Sequence, residues 1–389
     1  MDYLNSEKME IEKKLTKEFA TRDAFLSLAN PFGVLPNPDS ILRKTGKTIE
    51  TYRELKNDPH VWSCVQSRKA GVLSLDHTVV RNDSTAGVFR EIKSILNGFD
   101  ISGLMRDILE APLFGYQPLE IIWEQSAKSG MSFIYPKSII PKPQEWFGFD
   151  TNGALRFKRI GKPEGELCPP EKIVCVRFEA SYINPYGHSL LSKCYWPVVF
   201  KNGGLKFWVK FTERYGMPML IGQYCRGATT EEARKLAEEL AEMTEDAVIV
   251  TPADVNIDFK EAARNASSTL FRDLIRHCNS EISKAILSQT LTTELEMGSY
   301  AAANTHFRIR HEVVLSDIKL VEKTINHIID LVVKMNFGNV KKPEFKVVVN
   351  DSENSYIVER DTKLISTGAV KFSRNYWMKR YGFSEDEIE

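Results

Sequence analysis

Residues 289–300 read Gln289-Thr-Leu-Thr-Thr-Glu294-Leu-Glu-Met-Gly298-Ser-Tyr300. The stretch is polar, holds one glycine, and separates two apolar patterns of helical period. Before it, Phe271, Ile275, Cys278, Ile282 and Ala285 recur on one face of a helix read over Ser267–Ser288. After it, Phe307, Val314, Ile318, Val321, Ile325, Ile328 and Val332 recur at spacings of three and four. That spacing predicts a long helix over Ala303–Met335 with a packed seam. By itself the stretch joins two amphipathic helices, which a buried helical hairpin would also show.

Upstream lies a third long pattern. Leu190 to Tyr215 reads as one helix, with Pro197 and Gly203-Gly204 predicting a kink or loosened turn and Pro218 stopping it. Lys206, Lys210 and Arg214 stand at four-residue intervals on one stripe, which suits either a solvated face, a neighbouring subunit's carboxylates or a phosphate backbone. Between this helix and Ser267 sits a small β-α-β-β insert, read as strands Met219–Tyr224, Ala247–Val250 and Val255–Phe259 around a helix Thr229–Met243. Thr229 and Glu232 form a capping box at its start. Its acidic residues Glu231, Glu232, Glu238, Glu239 and Glu242 make a solvated face or a docking surface for a basic partner. The insert is too small for a large core of its own and is expected to pack on copies of itself or on a partner.

The first half is mixed α+β. Met1 to Ala24 reads as a surface helix or arm, and Pro31, Pro36 and Pro38 as an extended segment. Helices are expected at Thr48–Leu55, Val61–Gly71, Val88–Asn97 and from Ser102 to Glu110. Strands are expected at Leu75–Val80, Gly115–Gln125 and Lys172–Phe178. The hairpin Trp146–Phe149 and Ala154–Phe157 turns through Asn152-Gly153. A strand at Glu344–Val349 and helical patterns at Ser355–Ser366 and Arg374–Arg380 complete the chain. Trp146, Trp208 and Trp377 read as core or interface anchors.

The totals exclude several classes. The chain has 389 residues, with 42% hydrophobic and 27% charged, which suits a folded chain of two or three units. Lys plus Arg equals Asp plus Glu at 52 each, which argues against coating DNA through bulk basicity. The six cysteines include no Cys-x-x-Cys, so metal ligation is not expected and reduced thiols are. No signal-peptide core and no apolar run of about 18 residues occurs, so no membrane partner is expected. The sequons at Asn82 and Asn265 are then chance matches. Gly46-Lys47-Thr48 ends like a phosphate loop, but Ile41 stands where the motif needs glycine, so a plain turn is expected. His306 and His311 are spaced by five, and His311-Glu312 lacks the second histidine of a zinc-protease helix. With no nucleophile elbow and no placed carboxylate pair, a non-enzymatic chain without cofactors is expected.

Several runs also resemble the Mu-like prophage portal protein family. They are Asn57-Asp-Pro-His60-Val-Trp-Ser-Cys-Val-Gln-Ser-Arg68-Lys69-Ala, Gly115-Tyr-Gln-Pro-Leu-Glu120-Ile-Ile-Trp123, Asn184-Pro-Tyr-Gly187, Phe211-Thr-Glu-Arg-Tyr-Gly216-Met-Pro218, and Ile286-Leu-Ser-Gln-Thr-Leu291-Thr-Thr-Glu294 with Gly298-Ser-Tyr-Ala-Ala. Jointly they cover about residues 40 to 350. The resemblance implies an α+β portal fold and a dodecameric ring at one capsid vertex, found in the virion and, during assembly, in the host bacterial cytoplasm. Double-stranded DNA would pass through the ring, and the large terminase, the major capsid protein and a head–tail adaptor would be its partners. On this numbering it implies an arm at 1–24, and a wing at 25–186 completed by 304–350. It implies stem helices at 187–215 and 267–290, a clip at 216–266, and a reduced crown region at 351–389. Residues 291–303 would be the tunnel loop, putting Thr292, Thr293, Glu294, Glu296, Gly298, Ser299 and Tyr300 at the DNA. The other reading is a small-oligomer nucleic-acid-binding protein that uses the Lys206, Lys210 and Arg214 face.

Overall fold

The seam expected after the polar stretch is the spine of the first of two units. The computed structural model describes residues 34–128, 131–216, 221–225, 227–243, 249–255, 264–290, 300–349, 355–368, 370–374 and 376–377. In chain order come β1 (Val34–Leu35), α1 (Ser40–Thr45), α2 (Glu50–Leu55), α3 (Pro59–Leu73), β2 (His77–Val80), α4 (Ala86–Asn97), α5 (Ile101–Ile108) and α6 (Ala111–Phe114). Then follow β3 (Tyr116–Lys128), β4 (Met131–Pro141), β5 (Phe147–Asp150), β6 (Leu155–Arg159), β7 (Lys162–Leu167) and β8 (Ile173–Arg177). The rest is α7 (Leu190–Gly216), β9 (Ile221–Tyr224), α8 (Thr230–Met243), β10 (Ile249–Pro252), α9 (Arg264–Leu287), α10 (Tyr300–Phe337), β11 (Glu344–Val347) and α11 (Ser355–Ser366). Met1–Thr51, Val65–Leu190 and Phe307–Glu389 make the first unit, and Tyr52–Cys64 with Leu191–His306 the second.

In the first unit, Ile318, Val321, Ile325 and Ile328 of α10 pack with Ile92, Met105, Ile108, Leu119, Ile121 and Phe345 in one core. Fully burying each such side chain contributes about 1.5–3 kcal/mol. Two antiparallel sheets contribute to it, in the orders β4-β3-β8 and β11-β2, while a third, β1-β5-β6-β7, buries Phe147 and Phe149 outside that cluster. Arg68 grips Asp317 with two parallel bonds of 2.8 and 2.9 Å, both side chains buried. Lys69 reaches Glu110 Oε1 at 2.5 Å and donates to the Arg106 carbonyl at 3.0 Å.

Two of the quoted runs meet at one backbone crossing. Gly115 has φ +93° and a Cβ there would lie 2.6 Å from the Tyr186 carbonyl oxygen. Only glycine tolerates both conditions. The Asn184 side chain holds the turn, accepting from Tyr186 N at 3.1 Å and donating to the Gly187 carbonyl at 2.6 Å. Tyr186 donates to the Leu35 carbonyl at 2.6 Å, and its ring sits edge-on against Tyr116 and Phe149. Burial pushes the Tyr186 phenol up to about 12.

The second unit holds α7, α9 and the insert. β9 and β10 pair in parallel, with Thr251 opposite Gln223. A parallel pair needs a crossover, and α8 supplies it. Gly222 leaves room for Leu236 and Leu240 of that helix, since a Cβ would lie 2.6 Å from Leu240 Cδ1.

Several expectations need correction. α5 starts one residue before Ser102, because Asp100 is its cap, accepting from Gly103 N at 2.8 Å. α7 runs through Pro197 and Gly203 without a break. Gly204 serves close packing: a Cβ there would lie 2.9 Å from Leu274 Cδ2. The segment after Pro31 is not all extended, since Asp39 caps α1 and Gly46, at φ +64°, ends it. Gly46-Lys47-Thr48 is thus a helix exit followed by a turn. β4 and β7 were not expected at all. Val255 lies outside any strand, and the remainder of the third insert strand, residues 256–259, lies outside the described residues. So do the N-terminal arm and residues 378–380 of the last helical pattern.

Candidate functional site: the long helices of the second unit

α7 and α9 lie side by side. Trp208 stacks on Phe271 at 6.5 Å and 11°, and Phe211 tilts against the same ring at 6.0 Å. At the other end of the pair the contacts are polar and buried. The Asp58 carboxylate caps α3, accepting from His60 N at 2.9 Å and Val61 N at 3.1 Å. It also binds Lys201 of α7 at 2.8 Å, with side chains 4% and 9% exposed. His60 Nε2 shares a 2.8 Å hydrogen bond with Ser283 Oγ of α9. The thiols of Cys64, Cys194 and Cys278 are buried here, and burial raises all three, Cys194 to about 12. They are protonated and unreactive at neutral pH. Among the described residues no group of three or more His, Cys, Asp or Glu could hold a metal ion. No described helix is long and apolar enough to cross a membrane.

The distal half of α7 carries the feature that sequence reading missed. Phe200, Phe207, Leu205 and Val209 are 56%, 65%, 37% and 55% exposed. Helical spacing puts Phe200 and Phe207 on one flank and Leu205 and Val209 on another, roughly 170° away. The face between them carries Gly204, Trp208 and Phe211 toward α9. The signal was present: Leu190–Phe211 is apolar nearly all round, and such a helix is buried on more than one side.

The expected site residues fall out as follows. Lys206 and Lys210 are exposed on α7, with Lys210 beside the Phe207 flank. Arg214 is in the same helix, its side chain outside the described set. Glu231, Glu232, Glu238, Glu239 and Glu242 are all exposed on α8. The capping box forms as expected, with Glu232 Oε2 accepting from Thr229 N at 2.8 Å and Glu232 N donating to Thr229 Oγ1 at 3.4 Å. Thr292, Thr293, Glu294, Glu296, Gly298 and Ser299 lie outside the described residues, and Tyr300 is the first residue of α10. On the near side of that gap α9 ends at Leu287, Ser288 takes φ +58°, and Gln289 is buried. Among the described residues, the second unit thus presents two apolar flanks, a basic edge and an acidic helix.

Solved structures share this architecture. A chain of the virion of a native gene transfer agent particle superposes with a TM-score of 0.57 at 14% identity, covering 93% of this chain and 98% of that one. A chain of the neck of an empty gene transfer agent particle gives 0.58 at 13%, covering 93% and 99%. The fold is thus the mixed α/β, long-helix fold of chains in such particles. The family described as the portal protein of Mu bacteriophage matches residues 49–383, and the chain belongs to that family. The Mu-like prophage FluMu protein gp29 of Haemophilus influenzae is 27% identical over 320 residues, taking in 77% of this chain and 59% of that protein. The portal protein of Escherichia phage Mu is 25% identical over 282 residues, taking in 70% of this chain and 53% of that protein. The matches thus span little more than half the length of these relatives.

Proposed function

We propose that the chain is a portal subunit, which assembles head to tail into a closed ring at a capsid vertex and passes double-stranded DNA during packaging and ejection. Family membership supports the portal reading. The observation that carries the ring is the pair of different apolar flanks on α7. A two-fold dimer uses one self-complementary patch, whereas a ring needs two unlike patches on each subunit. Phe200 and Phe207 of one copy would meet Leu205 and Val209 of the next.

The remaining surfaces take roles in this scheme. Residues 25–186 and 304–350 serve as the wing, α7 and α9 as the stem, residues 216–266 as the clip, and residues 351–389 belong to the crown region. Glu231, Glu232, Glu238, Glu239 and Glu242 offer a docking face to the large terminase and later to a head–tail adaptor, while the major capsid protein meets the wing. Residues 291–303 line the channel. There Thr292, Thr293, Ser299 and Tyr300 supply exchangeable hydrogen bonds, and Glu294 and Glu296 disfavour tight phosphate contact. DNA must slide, so the contacts must be weak and without sequence preference.

Negative-stain imaging with mass measurement tests the ring. Closed rings, dodecameric in the packaged particle, are expected. A monomer at every salt concentration that binds DNA tightly through Lys206 and Lys210 would overturn the proposal in favour of a small nucleic-acid-binding protein. Deleting Thr293–Ser299 is expected to leave rings intact and to impair packaging or DNA retention; normal genome filling would remove the channel assignment.

A further inference from the structure

In the first unit α10 spends its polar side chains on strand backbones. Asn326 Oδ1 accepts from Phe345 N at 2.8 Å while its Nδ2 donates to the Phe345 carbonyl at 3.0 Å. Ten residues on, Asn336 Oδ1 accepts from Ile134 N at 2.7 Å while its Nδ2 donates to the Ile134 carbonyl at 2.6 Å. Each amide therefore fills both hydrogen-bonding groups of one strand residue, as a neighbouring strand would. The strands are β11 and β4, which belong to different sheets. Glu322 Oε1 accepts from Val347 N at 2.9 Å, on the same edge of β11. The Asp317 carboxylate is held by Arg68 of α3.

A strand edge can be blunted by any charge or by proline. It does not need a two-pronged amide at a fixed residue. Two such amides on two sheets, with Glu322 and Asp317, make a keyed fit. Rotation of α10 by one residue turns it through about 100°, and a one-turn slide moves it about 5.4 Å, and either would break every key together. A second resting register, of the kind that sliding elements use, would have to replace all of these bonds at once.

We propose that Asn326, Asn336 and Glu322 are positioning residues that fix α10 in axial and rotational register. The helix that opens at Tyr300, directly after the candidate channel segment, then does not shift with it. This deepens the channel reading and rests on it.

The test uses full-length rings with Asn326→Leu, Asn336→Leu and the double change, which keep approximate volume and remove the amides. Native-state hydrogen exchange is the first measurement. Each single change speeds exchange of its own strand amide, Phe345 or Ile134. The double change is expected to speed exchange of helical amides at 310–320 by about tenfold, although both keys lie outside that stretch. If those amides do not change, the asparagines only cover strand edges and the proposal fails. Asn326→Asp with Asn336→Asp keeps both acceptors and should fall between wild type and the leucine pair; behaviour identical to the leucine pair would also count against keyed positioning. Should the leucine pair fail to fold, the aspartate pair carries the same exchange test. The second measurement is DNA retention in assembled particles, where the double variant is expected to form rings and lose DNA. If the Thr293–Ser299 deletion loses DNA and the double variant retains it, positioning is wrong and the channel reading stands. If the deletion packages normally, the channel reading is wrong while the exchange result stands on its own.

Discussion

In the first unit, α10 buries its seam in a core to which helices and two sheets contribute, and it caps two strand edges with its own asparagines. In the second, α7 buries Leu191, Cys194, Tyr195 and Val198 near its start and then leaves Phe200, Phe207 and Val209 more than half exposed. Both helices are rich in apolar residues, so composition does not separate them. What differs is whether one chain supplies all the covering surface. The α10 seam is covered by its own unit, whereas α7 leaves apolar side chains exposed, which in the proposed ring a neighbour would cover.

The sharpest way to break this contrast is to make the exposed flanks polar. Phe207→Ser with Val209→Ser is expected to abolish rings while changing monomer stability by no more than about 0.5 kcal/mol. Sedimentation and thermal melts of the same sample read both quantities, and a variant that keeps its rings would show that the flanks are not the interface. Next in size is the buried pair at the other end of α7. Lys201→Met leaves the Asp58 carboxylate buried against a methyl group, and a loss of about 3–5 kcal/mol is expected in denaturant unfolding. A loss under about 1 kcal/mol would mean that Asp58 is satisfied by its capping bonds alone.

Alkaline pH probes the two units through different groups. Tyr186 in the first and Cys194 in the second are neutral when folded, each raised to about 12 by burial. Their ordinary values are 10.0 and 9.0. The folded state therefore holds its proton more tightly, and stability falls as pH rises from the ordinary value through the folded one. For Tyr186 the fall amounts to roughly 2–3 kcal/mol between about pH 10 and 12. Tyr186→Phe should flatten that part of the stability profile, and Cys194→Ala the part that starts near pH 9. Unchanged slopes would show that other groups set the alkaline limit. The smallest expected effect is at the backbone crossing, where Gly115→Ala adds a strained φ and a carbonyl contact and costs about 1–3 kcal/mol. A melt within error of wild type would show that the crossing relaxes freely.

Long periodic elements were readable from sequence. The α10 seam, the β5–β6 hairpin at Asn152-Gly153 and the Thr229–Glu232 capping box all formed where local chemistry put them. β4 was not readable because Pro136 and Pro141 argue against a strand. Both are tolerated since β4 is an edge strand and Pro136 sits opposite Trp123 at a register shift. β7 hid for a related reason, carrying Pro163, Gly165 and alternating charges on another edge. At the candidate site, the lysines and glutamates on α7 and α8 were visible as exposed stripes. The flanks were not, because periodicity ranks a helix by its single best face and α7 has three.

The pairing of β2 with β11 also governs the order in which the molecule can be made. Val80 faces Glu344 across that ladder, with Leu191–His306, the larger part of the second unit, inserted between them in the chain. At bacterial-type elongation rates of about 5–20 residues per second, β2 waits roughly 15–50 s for its partner. The parallel pair β9–β10 closes within a much shorter loop and can form first. During synthesis, then, the apolar flanks of α7 emerge before the core that completes the first unit. If those flanks join copies as proposed, nascent chains on neighbouring ribosomes can meet through them while that core is still open, and translation speed and chaperone supply would then govern the yield of the proposed rings.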